Sequence, residues 1–450
     1  MSFISVEFFI FFPSVIILNA LIQKLNNKRI STVFLLISNL AFYSFFNIKF
    51  TALLLISALI SYICALKANK KLFFITGIVL PLIILGFFKY FNFFLETLHF
   101  EPINILLPLG ISFYTFEIIS YVADVRLKKY EAEKDFLAYI TYITFFPNIV
   151  SGPIARANDL LKQIKEGRKQ NLNCFCEGIQ IIVFGLFKKM VLADRLAIFV
   201  NDVYTSPEAF SSFTILLALI SYSIQIYMDF SGYSDIAIGC AKCLGFDFKK
   251  NFNMPYISQS ISEFWNRWHI SLSSWFKDYV YIPLGGNRKG KTRQYINLVI
   301  VMTLSGLWHG ASWTFVFWGL LNGILLIIEK AIHRDRFNNF KIYRVIITFI
   351  IVTFTWVFFR ANSFAQAITV LKCLFSFQNG IRQPYIYSFI SILIIGVSMF
   401  LIIKKDNRHN AYYPIQNLKT IKGLTVFLIF AGLLICLAYT NASPFVYAQF

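Results

Sequence analysis

Two histidines occupy apolar, aromatic settings that an ionisable group rarely enters without a functional reason. They are His309 in SGLWHGASW and His269 in EFWNRWHISLSSW. An imidazole titrating near neutrality can take a proton from a hydroxyl, so either residue suits general-base catalysis of group transfer. The alternative is a neutral imidazole hydrogen-bonded to a neighbouring helix. Gly306 and Gly310 flank His309. They would let a ligand or a second backbone come close, or serve tight helix packing. His99, His333 and His409 stand beside charges in loops and read as solvated.

Residues 285–293, GGNRKGKTR, join flexible glycines to the cations Arg288, Lys289, Lys291 and Arg293. Such a loop could cradle phosphates, although it matches no Walker pattern and reads equally as a basic cytoplasmic loop. Cys240 and Cys243 form a lone CxxC without further ligands, so no metal is expected. No GxSxG elbow marks a serine nucleophile. Trp265, Trp268 and Trp275 read as an interfacial belt or core. Asp229 and Asp235 in DFSGYSD would be the coupling-ion candidates if the chain were a transporter. Against that reading, the spans hold no paired carboxylates and no inverted repeat.

The elements that must position these residues are membrane helices. Of 450 residues, 57% are hydrophobic and 14% charged, where a soluble domain carries about 25% charge. An all-α polytopic protein with a single integral membrane domain over 1–450 is expected. The net charge of +20 resides mainly between apolar runs. That is the positive-inside pattern and argues for a lipid bilayer rather than nucleic acid as partner. Seven Cys form no secreted disulfide framework. The first apolar run lacks a basic lead and a cleavage site, and reads as the first membrane helix.

Runs of spanning length fall near 4–22, 31–47, 50–66, 72–90, 104–122, 178–199, 212–240, 343–360, 386–403 and 423–440. Basic loops precede and follow 136–153, and its Pro147 and Ser151-Gly152-Pro153 break predict a re-entrant element. Basic loops also bracket 295–329, which predicts a helical hairpin with His309 near its midpoint. The expectation is about ten spans plus re-entrant pieces, with the C-terminal tail on the outer side.

The stretch FDFKKNFNMPYISQSISEFWNRWHISLSSWFKDYVYIPLGGNRKG, followed by NLVIVMTLSGLWHGASWTFVFWGLLNG, resembles the membrane-bound O-acyltransferase family. Within it the chain is similar to the bacterial polysaccharide O-acetyltransferase branch, the alginate and peptidoglycan type. ITFFPNIVSGPIARANDLLKQI, YMDFSGYSDIAIGCAKCLGFDF and SPFVYAQF add to the likeness, which is strongest over 142–323. The resemblance implies helices around a central tunnel, a cytoplasmic acetyl-CoA donor and no bound cofactor. It implies His309 as catalytic base and His269 as a second polar position. Asn266, Arg267, Trp268 and Trp308 would line the tunnel or an oxyanion site, and Arg288, Lys289, Lys291 and Arg293 could meet the CoA phosphates. Related exporters carry an acyl group on a tail tyrosine, here Tyr447 within residues 441–450, although Ala448 replaces the more usual Phe. A bacterial inner-membrane location, a periplasmic SGNH or esterase-like acetyltransferase partner and a glycan acceptor follow by the same resemblance. D-alanyl or fatty-acyl transfer on the same fold, and a non-covalent flippase, remain as alternatives.

Overall fold

The computed structural model describes residues 1–332, 340–382, 390 and 416–439. The described residues are helical and include no strand; a lone bridge joins Phe210 to Ile381. Six helices among them are long and apolar enough to cross a membrane: Val6–Gln23, Ile48–Leu66, Lys71–Thr97, Ser212–Cys243, Trp313–Ala331 and Ile342–Arg360. Ile421–Leu437 is a shorter apolar helix, and the run near 31–47 is the helix Lys28–Ser44. The expected span at 386–403 lies outside the described residues, apart from 390.

Exposure separates lipid-facing helices from inner ones. The most apolar window of Lys71–Thr97 is 17% buried, whereas that of Ser212–Cys243 is 78% buried. The run at 104–122 becomes helical only at Ile111, and the helix Ile111–Arg126 is then buried without a break from Ile111 to Asp124. The run at 178–199 is not one straight span. Leu172–Leu186 passes through a π-turn, Phe187–Ala193, into Asp194–Thr205. Inside that turn the buried Lys189 ammonium stands 2.7 Å from Asp194 and 2.6 Å from Asp229. A cation at membrane depth is costly without counter-charges, and the widened turn is where these meet.

The chain falls into two compact units. The first comprises Met1–Phe184 and Tyr233–Lys250, and it contains the broken segment for which the sequence predicts re-entrance. Phe136–Ile143 and the single turn Phe146–Ile149 are followed by the Ser151-Gly152-Pro153 break. The buried Glu117 carboxylate accepts hydrogen bonds from Asn148 Nδ2 at 2.6 Å and the Ala155 amide at 2.9 Å. Asn39 Oδ1 accepts the Phe146 amide at 3.1 Å. Protein groups therefore satisfy the broken backbone, which is the condition for irregular chain at membrane depth.

The second unit comprises Gly185–Gly232 and Asn251–Phe450. Its central feature is the hairpin of Lys291–His309 and Trp313–Ala331, as the bracketing basic loops predict. Each 19-residue arm is about 28 Å long at the α-helical rise. The arms touch backbone to backbone. A Cβ on Gly306 would lie 2.2 Å from the Phe315 carbonyl oxygen, and one on Gly319 would lie 2.3 Å from that of Met302. His309 is the last residue of the first arm, and Ser312 caps the second by accepting the Thr314 amide at 3.3 Å.

Gly319→Ala should therefore force the arms apart and lower the thermal midpoint of the detergent-solubilised chain, by roughly 1–3 kcal/mol of stability. Gly432→Ala, where a Cβ would meet nothing within 4 Å, should leave the midpoint unchanged or raise it. Equal midpoints for the two variants would show that the arms do not depend on this contact.

Candidate functional site

The two candidate imidazoles come together. His309 and His269 are 2% and 1% exposed, and their ring centroids lie 6.4 Å apart. Trp308 packs against both, at 5.0 Å from His309 and 5.7 Å from His269. Trp318 and Phe359 close the other side of His309, each at 5.4 Å. Phe230 meets His269 edge-on at 4.7 Å, and Phe252 stacks on it at 6.3 Å. The result is an aromatic box around two nitrogen heterocycles. A box of this kind excludes water and strengthens any interaction with a developing charge.

His309 is placed by the glycine-packed hairpin, at the point where helix gives way to the Gly310–Ser312 turn. Phe315 covers Gly310 so closely that a Cβ there would lie 2.3 Å from its ring. His269 is placed differently. It joins two seven-residue helices, Ile261–Arg267 and Ile270–Phe276, and takes a left-handed backbone, φ +44° and ψ 56°. That conformation costs a non-glycine residue about 1–2 kcal/mol, so its surroundings must hold it.

Both short helices take N-terminal acceptors from residues distant in sequence, the first in addition to its own N-cap, Ser260, whose Oγ accepts the Glu263 amide at 3.0 Å. The buried Glu329, on the second hairpin arm, accepts the amides of Ile261 and Ser262, the latter at 2.9 Å. Asn251 serves the second helix: its carbonyl accepts the Ile270 amide at 2.8 Å, and its Oδ1 accepts the Ser271 amide at 3.2 Å and the Ser271 hydroxyl at 2.9 Å. The same Oδ1 lies 3.1 Å from His269 Nδ1.

The remaining candidates separate into two groups. Trp308 is part of the box. Trp268 is fully buried behind it, 5.1 Å from Phe252 and 5.0 Å from Trp356. Asn266 is exposed, and Arg267 binds Glu263 at 2.9 Å and the Asn253 carbonyl at 3.2 Å; neither is hydrogen-bonded to an imidazole. Arg288, Lys289, Lys291 and Arg293 are exposed and enter no ion pair among the described residues. Their loop is fixed by positive φ at Gly285, Gly286 and Gly290 and by Asn297, whose Nδ2 donates to the Gly286 carbonyl at 3.0 Å. Tyr447 lies outside the described residues.

Asn251, Glu329, Trp318 and Phe359 are site residues that the motifs did not single out. The Trp318 indole N–H is buried and has no hydrogen-bond partner among the described residues. Its ring lies parallel to Trp356 at 5.4 Å. Only one sequence signal bore on them: Trp318 follows His309 by nine residues in the same glycine-bearing run.

A family model described as MBOAT, membrane-bound O-acyltransferase family, matches residues 34–367. The chain is 39% identical over 374 residues to the probable alginate O-acetylase AlgI of Pseudomonas syringae pv. tomato, covering 79% of this chain and 72% of that protein. It is 38% identical over 389 residues to the peptidoglycan O-acetyltransferase of Helicobacter pylori, covering 77% and 74%. The teichoic acid D-alanyltransferase of Bacillus subtilis is 27% identical over 391 residues, covering 79% and 98%.

Glu329→Ala should orphan the Ile261 and Ser262 amides, leaving Ser260 Oγ on the Glu263 amide, and lower stability by about 1–3 kcal/mol per orphaned amide. Glu329→Gln, which keeps one acceptor oxygen, should recover part of the loss. Thermal midpoints of both variants in detergent check this, and an unchanged midpoint for Glu329→Ala would contradict the capping role.

Proposed function

The chain belongs to the membrane-bound O-acyltransferase family and is a multi-pass membrane enzyme, and we propose that it passes an acetyl group from cytoplasmic acetyl-CoA toward hydroxyls of an extracytoplasmic polysaccharide. The observation that carries this reading is the pairing of His309 with His269 in a buried aromatic box. Relatives at 38–39% identity are named for O-acetylation of alginate or peptidoglycan, which favours acetyl over the D-alanyl group in the name of the 27%-identical relative. Of the two coupling-ion candidates for the flippase alternative, Asp229 is paired with Lys189 at 2.6 Å, which accounts for its burial without ion transport.

The chemistry is nucleophilic acyl substitution. The acceptor oxygen attacks the thioester carbonyl while His309 takes the hydroxyl proton. The carbonyl oxygen carries the negative charge of the tetrahedral intermediate and needs a donor. The Trp318 indole N–H, in the same box, suits that role alongside Trp308. Collapse re-forms the carbonyl and breaks the carbon–sulfur bond, and the proton returns from His309 to the sulfur, so that CoA leaves as the thiol. The exposed cations Arg288, Lys289, Lys291 and Arg293 would meet the phosphates of CoA outside the box.

The first acceptor on this reading is Tyr447, whose phenol, with an ordinary pKa of about 10, gains from a neighbouring base. The chain leading to it is tethered nearby. Arg195 donates twice to the Leu437 carbonyl, at 3.0 and 2.9 Å, and the Tyr439 amide donates to the Met190 carbonyl at 3.0 Å. Met190 follows Lys189, which binds Asp229, the neighbour of the Phe230 that meets His269. Eight residues of extended chain reach about 28 Å at most, which bounds how far Tyr447 can act from Tyr439. A periplasmic SGNH or esterase-like partner would then move the acetyl group from the tyrosine to the glycan. This assigns the enzyme to the bacterial cytoplasmic membrane, with the tail on its outer side.

His309→Ala should abolish polymer acetylation while the protein still inserts and elutes as a single species; near-normal acetylation would remove His309 as the base. With labelled acetyl-CoA and the purified chain, label should appear on the protein and disappear in Tyr447→Phe. Equal labelling of both proteins would exclude Tyr447 as the carrier.

A further inference from the structure

We infer that Asn251 is the positioning residue of this site: it fixes the tautomer of His269, with the proton on Nδ1 and a lone pair on Nε2. The inference rests on the acyl-transfer reading for its purpose but on geometry for its substance. Asn251 Oδ1 accepts the Ser271 backbone amide at 3.2 Å. A backbone N–H can only donate, so the Asn251 atom facing it is the oxygen. That oxygen can only accept. The third group on it, His269 Nδ1 at 3.1 Å, must therefore carry a hydrogen. In the neutral ring the other nitrogen, Nε2, is then an acceptor.

Flipping the amide would set two N–H groups against each other, and the structure tolerates a cost to keep the present orientation. Asn251 Nδ2 is buried with no hydrogen-bond partner among the described residues. His269 Nε2 is likewise buried and without a hydrogen-bond partner there, which leaves its lone pair available to a substrate donor other than the hydroxyl that His309 deprotonates. The groups against the ring are Phe230, Phe252, Trp308 and Asn251, and the titratable one is His309. No carboxylate or ammonium forms a hydrogen bond or ion pair with it among the described residues.

One residue thereby fills two roles. Through its carbonyl and Oδ1 it caps Ile270–Phe276, which has no side-chain cap of its own because His269 occupies the N-cap position. Through the same Oδ1 it orients the imidazole. Holding the left-handed turn at His269 and aiming its ring are one constraint.

Two measurements on the full chain test this. The first is independent of activity: the 15N spectrum of histidine-labelled protein, with five His in the chain and the His269 signals assigned by their loss in His269→Ala. Protonated Nδ1 and bare Nε2 are expected at neutral pH, and the opposite tautomer overturns the inference whatever the enzyme acylates. The second is the pH profile of acetyl transfer from acetyl-CoA. Asn251→Asp keeps the acceptor oxygen but adds a negative charge, which favours imidazolium and raises the His269 pKa. The acid limb should move to higher pH, because more alkali is needed to free the lone pair. Asn251→Ala should lose tenfold or more in rate, and Asn251→Asp should recover part of it. A profile for Asn251→Asp superimposable on the wild type would refute a positioning role, even if Asn251→Ala fails to fold. Absence of acetyl transfer in the wild type would strike the acyl-transfer reading instead, leaving the tautomer to the spectrum.

Discussion

A short helix whose first amides are shut off from water needs acceptors from the protein, and two helices of seven residues carry the motif around His269. Everything at the site follows from how those amides are satisfied. Glu329 supplies two acceptor bonds to Ile261–Arg267, and Asn251 supplies the acceptors for Ile270–Phe276. Each cap also fixes a direction: Glu329 ties the motif to the hairpin that holds His309 at its turn, and Asn251 turns the His269 ring.

The hairpin contributes the other half. Glycines at 306 and 319 remove the atoms that would keep its arms apart. The large rings of Trp308, Trp318 and Phe359 then gather around His309. Small residues along the seam and bulky ones at the tip make a scaffold whose rigidity comes from backbone contact. The same logic governs the broken segment of the first unit, where Glu117 and Asn39 take the place of missing helical partners.

Much of this was legible in the sequence, for identifiable reasons. Charge bracketing marked the hairpin and put His309 near its midpoint, because the signal is local. The break at Ser151-Gly152-Pro153 was legible for the same reason. Asn251 and Glu329 were not, since each acts on groups 18 to 68 residues away and neither stands in a pattern that announces a cap. Ile111–Arg126 read as an ordinary span because an apolar helix looks the same facing protein or lipid. The run at 178–199 held its own warning: Lys188 and Lys189 in mid-run required partners, and Asp194 and Asp229 supply them to Lys189 by way of a π-turn. Asn266 and Arg267 belong to the motif by sequence, yet exposure of the one and the Glu263 pairing of the other point them away from imidazole chemistry.

The claim that the paired imidazoles are where the thioester is opened has a direct readout in the thiol itself. Purified chain in lipid vesicles, mixed with acetyl-CoA and a hydroxyl acceptor, should release CoA thiol at a rate that His309→Gln reduces to the background of empty vesicles, with the variant folded to the same midpoint. Thiol release by folded His309→Gln at the wild-type rate would contradict it and place the chemistry elsewhere in the chain.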